Sequence, residues 1–303
     1  MSKKIIFNLK GGIGNQMFQY AFAHNIASKF KLKLLFDNSY NKLISQKRKI
    51  ELEKLFNIKL TYASKSDYYD LPFYLRNDVI RVNLFRRRYR YITPLLSKKI
   101  IHEKSMLFSE KYINISSDVK YFDGYWQSYK YHDLNIPINK VFAWKNINSY
   151  SKKVENKICD YENTVSIHIR RGDYIKKKNF LLNIKKNLLP LNTSYYYKSI
   201  NYFRERFEDI KFFFFSEDVK YVSDFVKEFN INSYIVDSEK SGLNDMYLMS
   251  KCRNNIIANS TFSWWGAYLN KNKDKKVIAP EIWFSSNNDK LIYSLYPPDW
   301  LVL

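Results

Sequence analysis

The chain is short of several things. Two cysteines in 303 residues, Cys159 and Cys252, exclude a disulfide framework and point to a reducing compartment. Seven glycines and seven prolines exclude collagen-like and low-complexity architectures. No stretch approaches the ~18 apolar residues of a membrane span; the longest apolar burst, Phe212 to Phe215, is strand-sized. The opening Met1-Ser2-Lys3-Lys4 runs at once into Ile5 to Leu9, too short for the core of a signal peptide. Acidic residues are scarce, 29 against 51 lysines and arginines, a net charge of +22. That field favours anionic partners but says nothing about fold. No G-x-x-x-x-G-K-[ST] loop, HExxH, CxxC or D-x-D metal pair occurs, and Asp237-Ser238-Glu239 is a weak approach to the last.

What is present is core-forming material: 46% hydrophobic residues, 18% aromatic. Apolar runs alternate with turns and amphipathic segments. Lys3 to Leu9 reads as a strand, Gly11 to Asn15 as a tight loop and Gln16 to Phe30 as a helix, with Phe18, Phe22, Ile26 and Phe30 on one stripe. Strands follow at Leu32 to Phe36 and Val119 to Phe122, whereas residues 60–115 show no clear period. Beyond Thr164 the pattern is strand at Val165 to Ile169, helix through Tyr196, Ile200, Phe203 and Phe207, strand at Lys211 to Phe215, helix at Val219 to Phe229, and strand at Ser233 to Val236. A helix at Asn244 to Cys252, a strand at Asn255 to Ala258, a helix at Thr261 to Leu269 and a strand at Lys276 to Ile278 complete it. The expectation is α/β: two Rossmann-like domains, 1–155 and 156–303, facing each other across a cleft lined by strand carboxyl ends.

Four segments carry chemistry. Gly11-Gly12-Ile13-Gly14-Asn15-Gln16 lies between strand and helix. It resembles a dinucleotide fingerprint, but Met17 replaces the third glycine. It can present amides at a helix start, or simply be a tight turn with Asn15 as N-cap. In Ser166 to Tyr174, alternation puts Ser166, His168 and Arg170 on one strand face, with Asp173 placed to hold an arginine. A guanidinium at a strand end offers paired donors to a phosphate and keeps its charge. Glu217 and Asp218 either accept from ribose or guanine or cap a helix. Asn259-Ser260-Thr261-Phe262 opens a helix suited to a pyrophosphate, and one of Trp264 and Trp265 is expected to line the cleft.

These stretches resemble bacterial α-1,2-fucosyltransferases of glycosyltransferase family 11: GGIGNQMFQYAFA at 11–23, GYWQSYKYH at 124–132, HIRRGDY at 168–174, FSED at 215–218 and DMYLMSKCRNNIIANSTFSWWGAYL at 245–269. One departure is Tyr129 before Lys130, where an acidic residue is common in the family. The resemblance implies a GT-B fold and inverting transfer from GDP-β-L-fucose to O2 of a galactose-like residue, with no cofactor or metal required. By position, Arg170 would act on the donor β-phosphate, supported by His168, Arg171 and Asp173. Glu217, Asp218, Asn259, Ser260, Thr261 and Phe262 would bind the donor. Asn15 would address fucose and acceptor, with Gly14, Gln16, Trp126 and Gln127 on the acceptor side. Asp37, Asp123, His24, Asp173 and the donor phosphate all stay open as general base. The expected partners are a nucleotide sugar, a galactose-containing glycan and an anionic membrane surface reached from the cytoplasmic side, without nucleic acid. The basic runs at 86–90, 176–178, 185–186 and 271–276 motivate the membrane. The rival readings are a nucleic-acid-binding α/β protein, an NAD-dependent enzyme and a transferase for another GDP-sugar.

Overall fold

A computed structural model describes residues 3–44, 49–85, 97–116, 118–132, 137–171, 190–284 and 289–303. The chain divides into two compact units, Met1–Lys145 and Asn146–Leu303. The boundary expected at 155/156 would cut the helix Ser149–Cys159. That helix belongs wholly to the second unit: the Tyr150 hydroxyl accepts from Asp237 N at 2.9 Å, and the Tyr247 hydroxyl donates to Glu155 at 2.6 Å.

The first unit holds a parallel sheet in the order β2-β1-β4-β3, from β1 (Lys4–Asn8), β2 (Lys33–Asp37), β3 (Ile100–His102) and β4 (Tyr121–Asp123). Strand β3 lies in the stretch that showed no period. Between β1 and β2 runs α1 (Ile13–Phe30), which begins at Gly12 rather than at an Asn15 cap and ends on Lys31 in the left-handed region. Phe18, Phe22 and Ile26 of the expected stripe are buried. Phe22 sets its ring edge-on to Phe7 and Phe122, which stack with centroids 4.4 Å apart. Pairs of this kind add about 0.5–1.5 kcal/mol each beyond their buried area.

The second unit is a six-stranded parallel sheet in the order β10-β9-β8-β5-β6-β7. Its strands are β5 (Asn163–His168), β6 (Ile210–Phe215), β7 (Ser233–Ile235), β8 (Asn254–Ile256), β9 (Val277–Ala279) and β10 (Leu301–Val302). Four successive buried phenylalanines, Phe212 to Phe215, suit a strand covered on both faces. Helices α2 (Thr193–Arg204), α3 (Val219–Glu228) and α4 (Thr261–Tyr268) intervene. Trp264 and Trp265 of α4 are both fully buried, correcting the expectation that one lines a cleft. The helix has two covered faces. The Trp264 indole N–H donates to Leu295 O at 3.1 Å and its ring lies on Trp300, while Gly266 leaves room for Met249.

Candidate active site

In the second sheet the strand order reverses between β5 and β8, since β5 leads to β6 and β7 on one side and β8 to β9 and β10 on the other; in the first sheet β1 and β4 lie side by side at the centre. At such a reversal the connections leave in opposite directions, opening space beyond the strand carboxyl ends where ligands of α/β proteins bind. The sequence-predicted residues follow the carboxyl ends of β5, β6 and β8 in the second unit and of β1 and β4 in the first.

In the second unit, the central strand β5 ends at His168 and delivers Arg170 and Arg171 just beyond its carboxyl end. Arg170 pairs through Nη1 with Glu217, and Arg171 Nε donates to Asp218 Oδ2 at 3.1 Å while its guanidinium lies 3.7 Å over the Tyr221 ring. The acidic pair after β6 therefore holds the arginines, a role the sequence reading assigned to Asp173, which lies outside the described residues. Asp218 also caps α3, accepting from Tyr221 N at 3.1 Å. Burial and the neighbouring Arg170 charge push His168 down to about 3, so its ring is neutral. It sits 5.9 Å from the Phe262 ring, joining the β5 tip to the start of α4. There Ser260 is the N-cap, its hydroxyl accepting from Phe262 N at 3.4 Å. Asn259 is buried and Thr261 and Phe262 are half-buried. Ser166 turns instead into the interior, where its hydroxyl accepts from Asn255 at 2.7 Å.

In the first unit, Asn15 is half-buried near the start of α1 and its Oδ1 accepts from Gln127 Nε2 at 2.8 Å. Gly11 adopts φ 85°, and a Cβ there would lie 2.7 Å from Asn15 Nδ2, so the turn and the nearby side chain both require glycine. Gln16 and Trp126, expected on the acceptor side, are fully buried. The Gln16 carboxamide is consumed by Gly11 O, Lys49 O and Glu51 N, each at 2.9 Å, and braces the loop from behind. Trp126 packs between Phe22, Tyr112 and Tyr131. Gly14 is buried in the first turn of α1.

Two of the candidate bases are already engaged. Asp37 accepts from Arg81 Nε at 2.8 Å, the Tyr121 hydroxyl at 2.7 Å and Ser39 N at 2.8 Å. Asp123 accepts from Asn8, Lys10 and His102. In spite of burial, these partners hold both carboxyls below the usual carboxylate range, which makes them poor proton acceptors at neutral pH. Burial also lowers His24. Lys10, Gln19 and Glu103 complete this tip and were missed. Gln19 accepts from Lys10 N at 2.9 Å and donates to Gly124 O at 3.1 Å. Lys10 could have been found as the polar residue directly after Ile5 to Leu9, whereas Gln19 lies inside α1 and Glu103 in the stretch without a period. Among the described residues no cluster of three or more His, Cys, Asp or Glu is set to hold a metal ion.

The comparisons with known proteins agree with one another. The profile described as Glycosyl transferase family 11 matches residues 4–303. The O-antigen biosynthesis glycosyltransferase WbnK of Escherichia coli is 34% identical, over 92% of this chain and 95% of its own. An alpha-1,2-colitosyltransferase of the same organism is 35% identical, over 92% of each. Among solved structures, the fucosyltransferase NodZ from Bradyrhizobium superposes with a TM-score of 0.57 at 12% identity, covering 88% of this chain and 92% of its own. A likeness at that identity speaks for the fold, which is of the GT-B type, and not for the substrate.

Proposed function

The chain belongs to glycosyl transferase family 11, and on that footing we propose that it moves L-fucose from GDP-β-L-fucose to O2 of a galactose-like residue, with inversion and without a metal ion. The observation that carries the reading is Arg170 with Arg171 at the reversal point of the second sheet, beside the start of α4. As the bond from the sugar C1 to the phosphate oxygen breaks, the sugar becomes oxocarbenium-like and negative charge gathers on the leaving pyrophosphate. A guanidinium and the N–H groups opening α4 stabilise that charge more than they stabilise the bound ground state. The neutral His168 ring adds no competing positive charge. Glu217 and Asp218 orient the two guanidinium groups, and Asn259, Ser260, Thr261 and Phe262 are assigned to the nucleotide. The second unit is thus the donor domain, and the first, through Asn15 and Gln127, the acceptor-side domain. With Asp37 and Asp123 engaged, a donor phosphate oxygen is the favoured acceptor for the hydroxyl proton.

The name of the colitosyltransferase relative keeps one alternative alive: the transferred sugar is colitose rather than fucose, with the same 1,2 linkage. Incubation with GDP-L-fucose or GDP-colitose, a panel of galactosides and EDTA, read by product mass and linkage, decides between them. Unchanged turnover in EDTA is expected, and its abolition would overturn the metal-free reading.

Attachment to an anionic membrane face is a further part of the proposal. No helix among the described residues is long and apolar enough to cross a membrane. Tyr69, Phe73, Val79 and Ile80 of the first unit are exposed and Arg76 lies 5.4 Å from the Tyr69 ring, a combination suited to a lipid interface. The basic runs at 86–90, 176–178 and 185–186 lie outside the described residues. Co-sedimentation that rises with the anionic lipid content of vesicles supports attachment, and indifference to it removes the membrane from the account.

A further inference from the structure

The first sheet tip buries a charged side chain that the donor chemistry leaves unused. Glu103 directly follows β3 and is 8% exposed. Its two oxygens take successive backbone donors of the loop after β4, Tyr125 N at 2.6 Å on Oε2 and Trp126 N at 3.0 Å on Oε1. A carboxylate bound this way fixes the orientation of both peptide groups, and such charge-assisted bonds are about twice as strong as neutral ones. The fit leaves no slack at Gly124, where a Cβ would lie 2.6 Å from Glu103 Cβ and 2.7 Å from the Trp126 ring. Trp126 itself is held at φ 57°, a left-handed conformation that a residue with a Cβ rarely adopts. It persists because the surroundings over-determine it. The next residue is Gln127, whose carboxamide sets that of Asn15. With Oδ1 engaged, Asn15 presents its Nδ2 donor beside Gly11.

We propose that Glu103 is a positioning residue for transfer: it locks residues 124–127 in one conformation and, through Gln127, aims the Asn15 carboxamide. The assignment rests on the reading above that Asn15 serves the acceptor, but the lock itself is a property of the first unit alone. It also carries a pH dependence. The groups facing Glu103 are Lys10 beyond β1, Asp123 at the end of β4, and Tyr112 and Tyr131 from the flanking turns. Burial raises its carboxyl and outweighs the pull of the two N–H groups and Lys10, leaving it at about 7. Protonation converts one acceptor oxygen into a donor facing an N–H, so the lock loosens as pH falls below that value.

The experiment combines backbone amide exchange with steady-state kinetics for wild type, Glu103→Gln, Glu103→Asp and Gln127→Ala between pH 6 and pH 8.5. In Glu103→Gln, protection of the Tyr125 and Trp126 amides should drop about tenfold, the equivalent of one lost hydrogen bond, with the β1 and β4 amides unchanged. Turnover should fall at least as far at a constant KM for the GDP-sugar, and Glu103→Asp should recover part of it. The wild-type rate should rise through an ionisation near 7 that vanishes in Glu103→Gln. Should Glu103→Gln fail to fold, Gln127→Ala carries the test, losing turnover while the Tyr125 and Trp126 amides stay protected. Normal protection and turnover in Glu103→Gln, or normal turnover in Gln127→Ala, overturns the proposal. A wild type inert toward every GDP-sugar would refute the transferase reading, whereas the exchange data would still decide the lock.

Discussion

Asp37 closes β2 at its carboxyl end and could be taken for a chemical group, yet its surroundings make it a structural one. Arg81 is fully buried, with its guanidinium 3.9 Å over the Tyr68 ring, and it donates to Leu75 O at 2.7 Å as well as to Asp37. Asp37→Asn would put an NH2 group where one oxygen now accepts. Arg81 would keep a single carboxylate, Asp78, whose side chain is 61% exposed. Removing one partner of a buried pair costs about 3–5 kcal/mol because the other charge stays desolvated. For a unit of this size that corresponds to a fall in melting temperature of about 10–20 °C. Arg81→Met should cost a similar amount. The double variant should be less destabilised than the sum of the two by roughly 1–3 kcal/mol, since the second change removes the charge that the first leaves unpaired. The sign with pH is fixed. The Asp37 carboxyl is held low in the fold, so its contribution is present above the unfolded value near 3.9 and is lost as pH falls through the folded value. The gap between wild type and Asp37→Asn should therefore close in acid. Thermal and urea unfolding of the three variants at pH 7 and pH 3 measure all of this. If Asp37→Asn melted within ~2 °C of wild type while losing turnover, the structural assignment would be wrong.

Arg170→Ala should lower kcat about a hundredfold, the scale of a lost oxyanion donor, while near-normal single-turnover rates would take this arginine out of the mechanism. Glu217→Gln, which removes the ion pair between Glu217 and Arg170, should give a smaller loss, with the KM for the GDP-sugar rising more than kcat falls; an unchanged KM argues against a donor-side role. His132 is fully buried against Phe18, and burial pushes it down to about 3. Below pH 6.5 the unfolded chain takes up a proton that the fold refuses, so His132→Phe should gain on wild type by about 1.4 kcal/mol per pH unit as pH falls. Urea denaturation at pH 7, 6 and 5 checks this, and parallel curves would show that His132 is protonated in the fold.

How much of this was legible beforehand varies with the range of the forces involved. Period and punctuation depend on neighbours in the chain. Accordingly β1, α1, β5, β6 and α3 stand within a few residues of their expected places. Strand β3 has three residues and β10 two, too few to show a period; they are strands because a parallel neighbour supplies their hydrogen bonds. The family resemblance carried the fold class, since its motifs were long and in order.

What the amino-acid order determined by itself was therefore the alternation of strands and helices and the types of residue brought to the strand ends. Which of those side chains are available to a ligand was decided only in three dimensions. Gln16, Trp126, Trp264 and Trp265 turned inward, and Asp37 and Asp123 met buried cations from distant parts of the chain. Glu217 and Asp218 came to hold the arginines. The reason is electrostatic and steric: burying a charge or an indole is tolerable only where a partner of the right shape arrives, and those partners lie tens of residues away, beyond any local pattern.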